Sequence, residues 1–143
     1  MKLCIFGAGA VGSMIGSELA LAGHEVTLIS RGEHMTAIQA HGLTVIMNGK
    51  ERHTTPLCTD NPLEAGPQDA VIFVVKAHQL KAAVLNAEPL FGPHTFVVAA
   101  QNGIPWWYFF RCGGQWEGHS LQTVDPRKKI WRTLDPERVI GCV

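Results

Sequence analysis

The fold of this chain is decided by its opening stretch, Lys2-Leu3-Cys4-Ile5-Phe6-Gly7-Ala8-Gly9-Ala10-Val11-Gly12. Residues 2–6 have the length and branching of a short buried strand. The glycines have the spacing G-x-G-x-x-G, and after them apolar residues recur at helical spacing until Gly23 ends the pattern. The apolar face predicted for this helix consists of Val11, Met14, Ile15, Leu19 and Ala22. The sequence therefore predicts a strand, a tight glycine turn and a helix.

A glycine motif in this context is typical of a dinucleotide-binding site. Gly7 permits the tight turn, Gly9 lets a pyrophosphate approach bare backbone, and Gly12 lets the helix pack near the strand. Free N–H groups and the positive end of the helix dipole then face the phosphates. The residues predicted to hold the cofactor here are Gly7, Ala8, Gly9, Ala10, Val11 and Gly12. The alternative is a tight strand-to-helix turn that binds nothing.

The composition fits one domain and excludes several classes of partner. The chain has 143 residues, enough for a sizeable core, and its 12 basic and 12 acidic residues cancel. This balance indicates no nucleic-acid or membrane-surface partner. The longest apolar stretches, at 70–75 and 96–100, are too short to span a bilayer, and the N-terminus lacks the pattern of a secretory signal. We therefore expect no membrane segment.

The four cysteines are scattered, at Cys4, Cys58, Cys112 and Cys142. They form no C-x-x-C pair, and the histidines show no metal-binding spacing, so we expect no metal site. Cys4 and Cys142 fall in predicted buried strands, where a thiol acts as a small apolar side chain. A reducing, cytoplasmic location fits this usage best.

The end of the second predicted strand, at 24–29, bears on cofactor choice. In the dinucleotide fold, an Asp or Glu here would hydrogen-bond the ribose 2′-hydroxyl of NAD. This chain instead has Ser30 followed by Arg31. A guanidinium can bind a 2′-phosphate bidentately, whereas a carboxylate would repel it. The sequence therefore favours NADP(H) over NAD(H); the alternative for Arg31 is a solvated charge at a strand end.

The rest of the chain continues to alternate between strands and helices. The Asn48-Gly49 pair between two β-prone runs predicts an antiparallel hairpin over 43–55. We predict a connecting loop with room for one helical turn at 56–67, and a polar surface excursion at 113–132 in which a hairpin around Gly118 is one option. The other predicted elements are helices at 33–41 and 80–88 and strands at 69–75, 94–100 and 138–143. Together they predict an α/β fold of the Rossmann type: a doubly wound, mostly parallel sheet with helices on both faces and an inserted antiparallel hairpin.

Polar residues follow two of the central strands. Lys76 comes directly after the strand at 69–75 and is a candidate second cation near the cofactor phosphate or ribose, with Gln79 and His78 as weaker candidates. Asn102 follows the strand at 94–100, where its amide could bond a carboxamide or a substrate oxygen. The alternatives are a solvent-facing lysine and an Asn-Gly turn without a ligand.

Five successive aromatics, Trp106 to Phe110, follow the Asn102 turn. They could line a substrate pocket, cover the nicotinamide, pack against a partner domain or simply pack in the core. The chain then stops within the last predicted strand. Because a domain seldom ends inside a buried apolar run, we expect residues 1–143 to be one dinucleotide-binding domain of a longer protein.

Taken together, these motifs resemble the N-terminal domain of ketopantoate reductase (2-dehydropantoate 2-reductase), and the resemblance covers essentially the whole chain. The segments that carry it are Gly7-Ala8-Gly9-Ala10-Val11-Gly12, Ser30-Arg31-Gly32-Glu33, Val74-Val75-Lys76-Ala77-His78-Gln79, Gln101-Asn102-Gly103-Ile104 and Val139-Ile140-Gly141-Cys142. Their combination, in the family's order, is more specific than the glycine motif alone.

The resemblance implies an NADPH-dependent reduction of the ketone of 2-dehydropantoate to pantoate, on the route to pantothenate and coenzyme A. By position, the glycine loop would hold the pyrophosphate and Arg31 the 2′-phosphate. Lys76 would lie near the adenosine ribose and phosphate with Gln79 close by, and Asn102 near the nicotinamide and the substrate. In the family, the lysine general acid and its acidic partner come from a helical C-terminal domain that this chain lacks, so the chain alone would be inactive.

Two features depart from the family pattern, namely the aromatic run at 106–110 and the excursion after Gly113. They leave open a paralogue that reduces another 2-oxo acid or ketone. Two other readings also stay open: a stand-alone dinucleotide-sensing module, and the cofactor domain of a polyol-phosphate or opine dehydrogenase. Exposed apolar surface where a second domain should pack also leaves a homodimer open.

Overall fold

The computed structural model describes residues 1–142, which form eight strands and five α-helices. In chain order these are β1 (Lys2–Phe6), α1 (Ala10–Leu21), β2 (Glu25–Ile29), α2 (Gly32–His41), β3 (Leu43–Met47), β4 (Lys50–Thr54), β5 (Leu57–Thr59), α3 (Pro62–Ala65), β6 (Gln68–Phe73), α4 (Leu80–Asn86), β7 (Phe91–Ala100), α5 (Lys129–Thr133) and β8 (Val139–Cys142). Short 3-10 helices connect several of them, including one at Ala77–Gln79 that leads into α4.

Six strands form one sheet in the order β5-β2-β1-β6-β7-β8, and every neighbouring pair is parallel. The strands β3 and β4 form a separate antiparallel pair. The chain therefore winds outward from β1 on one side and, after the crossover to β6, on the other. The carboxyl ends of β1 and β6 mark the switch point where such folds bind their ligands. The predicted Rossmann-type fold and its inserted hairpin are confirmed.

The sheet is covered on both faces because its central strands are apolar on both sides. On one face of the sheet, a cluster packs Cys4, Phe6, Val71 and Phe73 against α4 and α5. On the other face, Ile5 and residues of β2 pack against α1, α2 and the hairpin. Successive residues of β1 thus face opposite layers, as the strand period requires.

Helix α1 buries the predicted face only in part. Its buried residues are Gly12, Ser13, Gly16 and Ser17, whereas Val11 is 54% exposed. A Cβ at Gly16 would lie 2.7 Å from a methyl of Leu28, so only a hydrogen fits there. Small residues allow the helix axis to approach the sheet closely. Of the predicted face, Ile15 and Leu19 are half-buried against the core, whereas Val11, Met14 and Ala22 are exposed.

Four other predictions also needed correction. The predicted loop at 56–67 contains the expected helical turn, α3, but also the edge strand β5. The predicted excursion at 113–132 contains α5 and the fully buried Asp125. Turns and a short 3-10 helix occupy the region around Gly118, where a hairpin was one option. Cys142 is exposed because β8 is an edge strand rather than a buried one. In the described part of the chain, no helix is both long and apolar enough to cross a membrane.

Candidate functional site

The turn after β1 is held in a conformation that depends on two glycines. Gly7 has a φ of 111°, and the N–H groups of Gly7 and Ala8 both donate to the carbonyl of Ile29 at 3.1 and 3.3 Å. A Cβ at Gly7 would lie 2.8 Å from the Val75 side chain, and one at Gly12 only 2.0 Å from the Gly7 carbonyl oxygen. Gly7 and Gly12 are therefore required by the protein's own packing.

Gly9 is different because its surroundings are empty. It has ordinary extended dihedrals (φ −73°, ψ −170°) at the N-cap of α1, and no atom lies within 4 Å of where its Cβ would be. Gly9, Ala10 and Val11 are exposed, and the first-turn N–H groups of a helix have no partner within it. The loop thus offers bare backbone and free donors at the positive end of the α1 dipole.

A cleft of about 560 Å³ opens beside this loop, at the carboxyl edge of the sheet. Its walls come from the glycine loop, the ends of β2, β5 and β6, and one face of α4. The lining residues are Phe6, Gly7, Ala8, Gly9, Ile29, Ser30, Arg31, Asp60, Val75, His78, Gln79, Ala82, Ala83 and Asn86. The predicted residues Gly7, Ala8, Gly9, Ser30, Arg31 and Gln79 are therefore brought together.

Ser30 and Arg31 leave the sheet at the end of β2. The N–H of Ser30 donates to the Thr59 carbonyl at 3.0 Å, which fixes the strand end against β5. Arg31 is extended (φ −150°, ψ 163°) and exposed, directly before α2. Within residues 1–142 its guanidinium makes no hydrogen bond or ion pair, so this cation is available to a ligand.

Lys76 and Asn102 lie at the same edge of the sheet but do not line the cleft. Lys76 is exposed and extended (φ −65°, ψ 148°) just before the 3-10 turn, and its backbone N–H approaches the Gln79 side-chain oxygen at 3.4 Å. Asn102 is exposed beyond the end of β7, beside Gly103 with a φ of 104°. Their roles toward a ligand stay predictions.

Sequence reasoning missed three features of this site. Asp60 reaches the cleft from the end of β5, a strand that the sequence did not reveal. Asn86 and two alanines of α4 line the cleft, and only the helical period of 80–86 hinted at that face. Gln101 donates from its side-chain amide to the Val75 carbonyl at 3.0 Å and so ties the ends of β6 and β7 together.

The aromatic run is mostly a packing element. Trp106 is only 2% exposed and meets Trp107 and Trp131 edge-on, with ring centroids 5.2 and 6.0 Å apart. Tyr108, by contrast, is 57% exposed. Its neighbour Phe109 stacks on Trp116 in a loop that is closed by a hydrogen bond from the Gly118 N–H to the Phe109 carbonyl at 2.8 Å. Core packing thus accounts for Trp106, and the exposed part of the run has no assigned role.

Among residues 1–142, no group of three or more potential ligands is arranged to hold a metal ion.

Most of the relatives that this chain matches are named 2-dehydropantoate 2-reductase, and two are named glycerol-3-phosphate dehydrogenase, at 32% identity. The family model described as "Ketopantoate reductase PanE/ApbA" matches residues 3–105. A protein of Mesorhizobium japonicum named 2-dehydropantoate 2-reductase is 46% identical over the whole chain and is itself covered to 44%. That match covers the whole chain, whereas the other relatives match 71–73% of it.

Solved structures agree with this. The crystal structure of a protein from Ralstonia solanacearum assigned to the ketopantoate reductases shares 40% identity and a TM-score of 0.90, over 97% of this chain and 43% of that one. D-mandelate dehydrogenase, in a ternary structure with NADH and anilino(oxo)acetate, shares 28% identity and a TM-score of 0.76, over 99% of this chain and 40% of that one. The chain thus spans less than half the length of these proteins. Its sequence, its sheet order and its glycine loop show that it belongs to the ketopantoate reductase family.

Proposed function

We propose that this chain is the NADP(H)-binding domain of an oxidoreductase that reduces the ketone of 2-dehydropantoate, or of a related 2-oxo acid, to the alcohol. The observation that carries the proposal is the cleft in which the open backbone of Gly9 and the unpaired guanidinium of Arg31 lie together. The 46% identity to a named 2-dehydropantoate 2-reductase supports the reaction class.

The residues present fit the cofactor. Phosphate groups need N–H donors and close backbone approach, which the loop at Gly9 offers because no side chain fills the space there. The 2′-phosphate that distinguishes NADPH from NADH needs a cation, and Arg31 lines the cleft with no partner in residues 1–142. Ser30 adds a hydroxyl donor beside it. Gln79 lines the same cleft, and we assign it and Lys76 to the ribose and phosphate region.

Bound NADPH supplies a hydride to the substrate carbonyl. The work of this chain is to place the cofactor, since orientation alone lowers the barrier of such a transfer. Asn102, at the carboxyl end of β7, is assigned to positioning the nicotinamide and substrate, and Gln101 holds that strand end against β6. A proton donor for the developing alkoxide is assigned to a second, helical domain.

The substrate is the less constrained part of the proposal. The structural neighbour D-mandelate dehydrogenase was solved with anilino(oxo)acetate, whose name denotes an oxo group beside a carboxylate. A 2-oxo acid other than 2-dehydropantoate is therefore the second candidate substrate. The four unpaired cysteines suit a reducing compartment, and a cytoplasmic location is proposed on that ground.

Calorimetric titration with NADPH and with NADH tests the cofactor assignment. In Arg31→Ala we expect the Kd for NADPH to rise by about tenfold to a hundredfold, because a charge-assisted contact is lost, while the Kd for NADH changes by less than about threefold. Arg132→Ala removes an exposed arginine outside this cleft and serves as the control. An equal loss for both cofactors, or no binding by the wild type, would contradict the proposal.

A further inference from the structure

Asp60 is held at the cofactor cleft by a turn whose other side chains are already engaged. The Thr59 hydroxyl donates to a carboxylate oxygen of Glu64 at 2.6 Å and accepts the Asn61 N–H at 3.0 Å. The Asn61 side chain in turn accepts the Leu63 N–H at 3.2 Å and caps α3. These bonds fix the backbone on both sides of Asp60.

The carboxylate of Asp60, by contrast, takes no part in holding this turn together. It is exposed, and within residues 1–142 it makes no hydrogen bond and no ion pair. Nevertheless it lines the same cleft as Arg31 and Gly9. A side chain that is free of structural bonds but whose backbone is fixed at a ligand cleft is placed to act on the ligand.

The strand register shows which part of the cofactor it would meet. β2 and β5 are parallel, with Ile29 opposite Thr59, and the Ser30 N–H bonds the Thr59 carbonyl. Asp60 therefore leaves the sheet beside Ser30, one strand away from the position where the fold normally carries an acidic residue for the adenosine ribose. The cleft thus has a cation from the end of β2 and a carboxylate from the end of β5.

We propose that Asp60 is a specificity-determining residue that weakens the preference for NADPH and lets the cleft accept NADH as well. The inference rests on the proposed function, because it assumes that the adenosine end of a nicotinamide cofactor lies between Arg31 and Asp60. A carboxylate repels a 2′-phosphate and accepts a hydrogen bond from a ribose hydroxyl. Asp60 therefore opposes the selectivity that Arg31 supplies.

The test replaces the carboxylate with an amide of the same shape, in Asp60→Asn. The amide keeps an acceptor for a ribose hydroxyl but removes the charge, so we expect the Kd for NADPH to fall by about threefold to tenfold while the Kd for NADH stays within twofold. Adenosine 2′,5′-bisphosphate and AMP are titrated in parallel, because they probe the adenosine end without the nicotinamide. The bisphosphate should gain affinity as NADPH does, and AMP should not.

Two further variants show whether the gain in NADPH affinity comes from the charge of Asp60 next to the 2′-phosphate. Glu51→Gln removes one negative charge from β4, outside the cleft, and should leave all four affinities unchanged. The double variant Arg31→Ala/Asp60→Asn shows whether the two charges act on the same phosphate. If they do, the gain from Asp60→Asn shrinks once the guanidinium no longer holds the phosphate in place.

The outcomes test the specificity role of Asp60 and the proposed function separately. If Asp60→Asn leaves the NADPH-to-NADH ratio unchanged while Arg31→Ala lowers NADPH affinity, the specificity role is wrong and the proposed function stands. Equal tightening of NADPH and NADH, or the same gain in Glu51→Gln, also overturns the specificity role. If the wild type binds neither cofactor, the proposed function fails and the role of Asp60 fails with it.

Discussion

Gly9 and Gly12 belong to the same motif, yet the structure demands them for different reasons. A Cβ at Gly12 would lie 2.0 Å from the Gly7 carbonyl oxygen, whereas at Gly9 it would meet nothing within 4 Å. We therefore predict that Gly12→Ala lowers the free energy of unfolding by about 3 kcal/mol or more, while Gly9→Ala changes it by less than about 1 kcal/mol. Urea denaturation of both variants measures this.

Gly9→Ala, which should hardly change stability, should nevertheless weaken cofactor binding. Gly9→Ala stays folded, but its new methyl occupies the space that a pyrophosphate needs, so its Kd for NADPH should rise at least tenfold. Unchanged affinity in a folded Gly9→Ala protein would show that no phosphate approaches this backbone. The control is Ala22→Gly, at the C-terminal end of α1. Gly23→Ala is not suitable, because the φ of 87° at Gly23 would strain an alanine.

The buried thiol of Cys4 should make stability depend on alkaline pH. Burial raises the pKa of Cys4 to about 12. The unfolded chain releases this proton above about pH 8.5 while the folded chain keeps it, so stability falls as pH rises from there toward 12. This one group should lower the free energy of unfolding by about 2 kcal/mol between pH 8.5 and 10.5.

Cys4→Ala tests that dependence. The variant should be less stable at pH 8, by about 1 kcal/mol for the lost packing, but should lose less stability on going to pH 10.5. Cys112→Ala alters an exposed thiol and should keep the wild-type slope. Denaturant unfolding at both pH values provides the comparison, and parallel slopes for all three proteins would refute the role of Cys4.

At the scale of elements, α5 depends on one buried carboxylate. Asp125 is fully buried, and its two oxygens accept the N–H groups of Ile130 and Trp131 at 2.9 and 3.0 Å. Both residues belong to the core cluster beside the sheet. We predict that Asp125→Ala lowers the free energy of unfolding by about 3 kcal/mol and Asp125→Asn by about 1–2 kcal/mol, because the amide retains one acceptor.

Asp135 provides a solvent-exposed comparison nearby. Its carboxylate accepts the Glu137 N–H at 3.0 Å as the N-cap of a 3-10 turn, a single bond where Asp125 has two. Asp135→Ala should therefore cost about 0.5–1 kcal/mol, since water replaces the lost bond. If the two alanine variants were equally destabilised in urea, burial would not be what makes Asp125 important.

These elements also show what a sequence can reveal. The strand β1, the Asn48-Gly49 hairpin and the position of Arg31 at the end of β2 were predicted because each depends on a local pattern. The most deeply buried residues of α1 were missed because they are small residues selected by the distance to β1 and β2, which no periodicity encodes. Asp60 was missed because its position follows from the pairing of the three-residue strand β5 with β2.

At the scale of the whole molecule, two of the clefts in the described part of the chain lie at opposite edges of the sheet and are alternative ligand sites. The cleft beside the glycine loop lies at the carboxyl edge of the sheet. A second one, of about 650 Å³, lies at the opposite edge, where β7 begins and the chain leads from α5 into β8. The two clefts are of similar size, but only the first combines a helix N-terminus, open backbone and an unpaired cation. Chemistry therefore favours the first, as the topology of parallel sheets does.

Hydrogen exchange of the chain with and without NADPH distinguishes the two clefts. We predict that the amides of Gly9, Ala10 and Val11 gain protection, since first-turn N–H groups have no partner inside the helix and exchange freely until a phosphate accepts them. Gly7 and Ala8 already donate to Ile29 and should change less. Residues 131–138, which line the cleft at the opposite edge, should exchange at the same rate in both states. Protection confined to 131–138 would place the cofactor at the amino edge, where no glycine loop could hold its phosphates, and the proposed function would have to be abandoned.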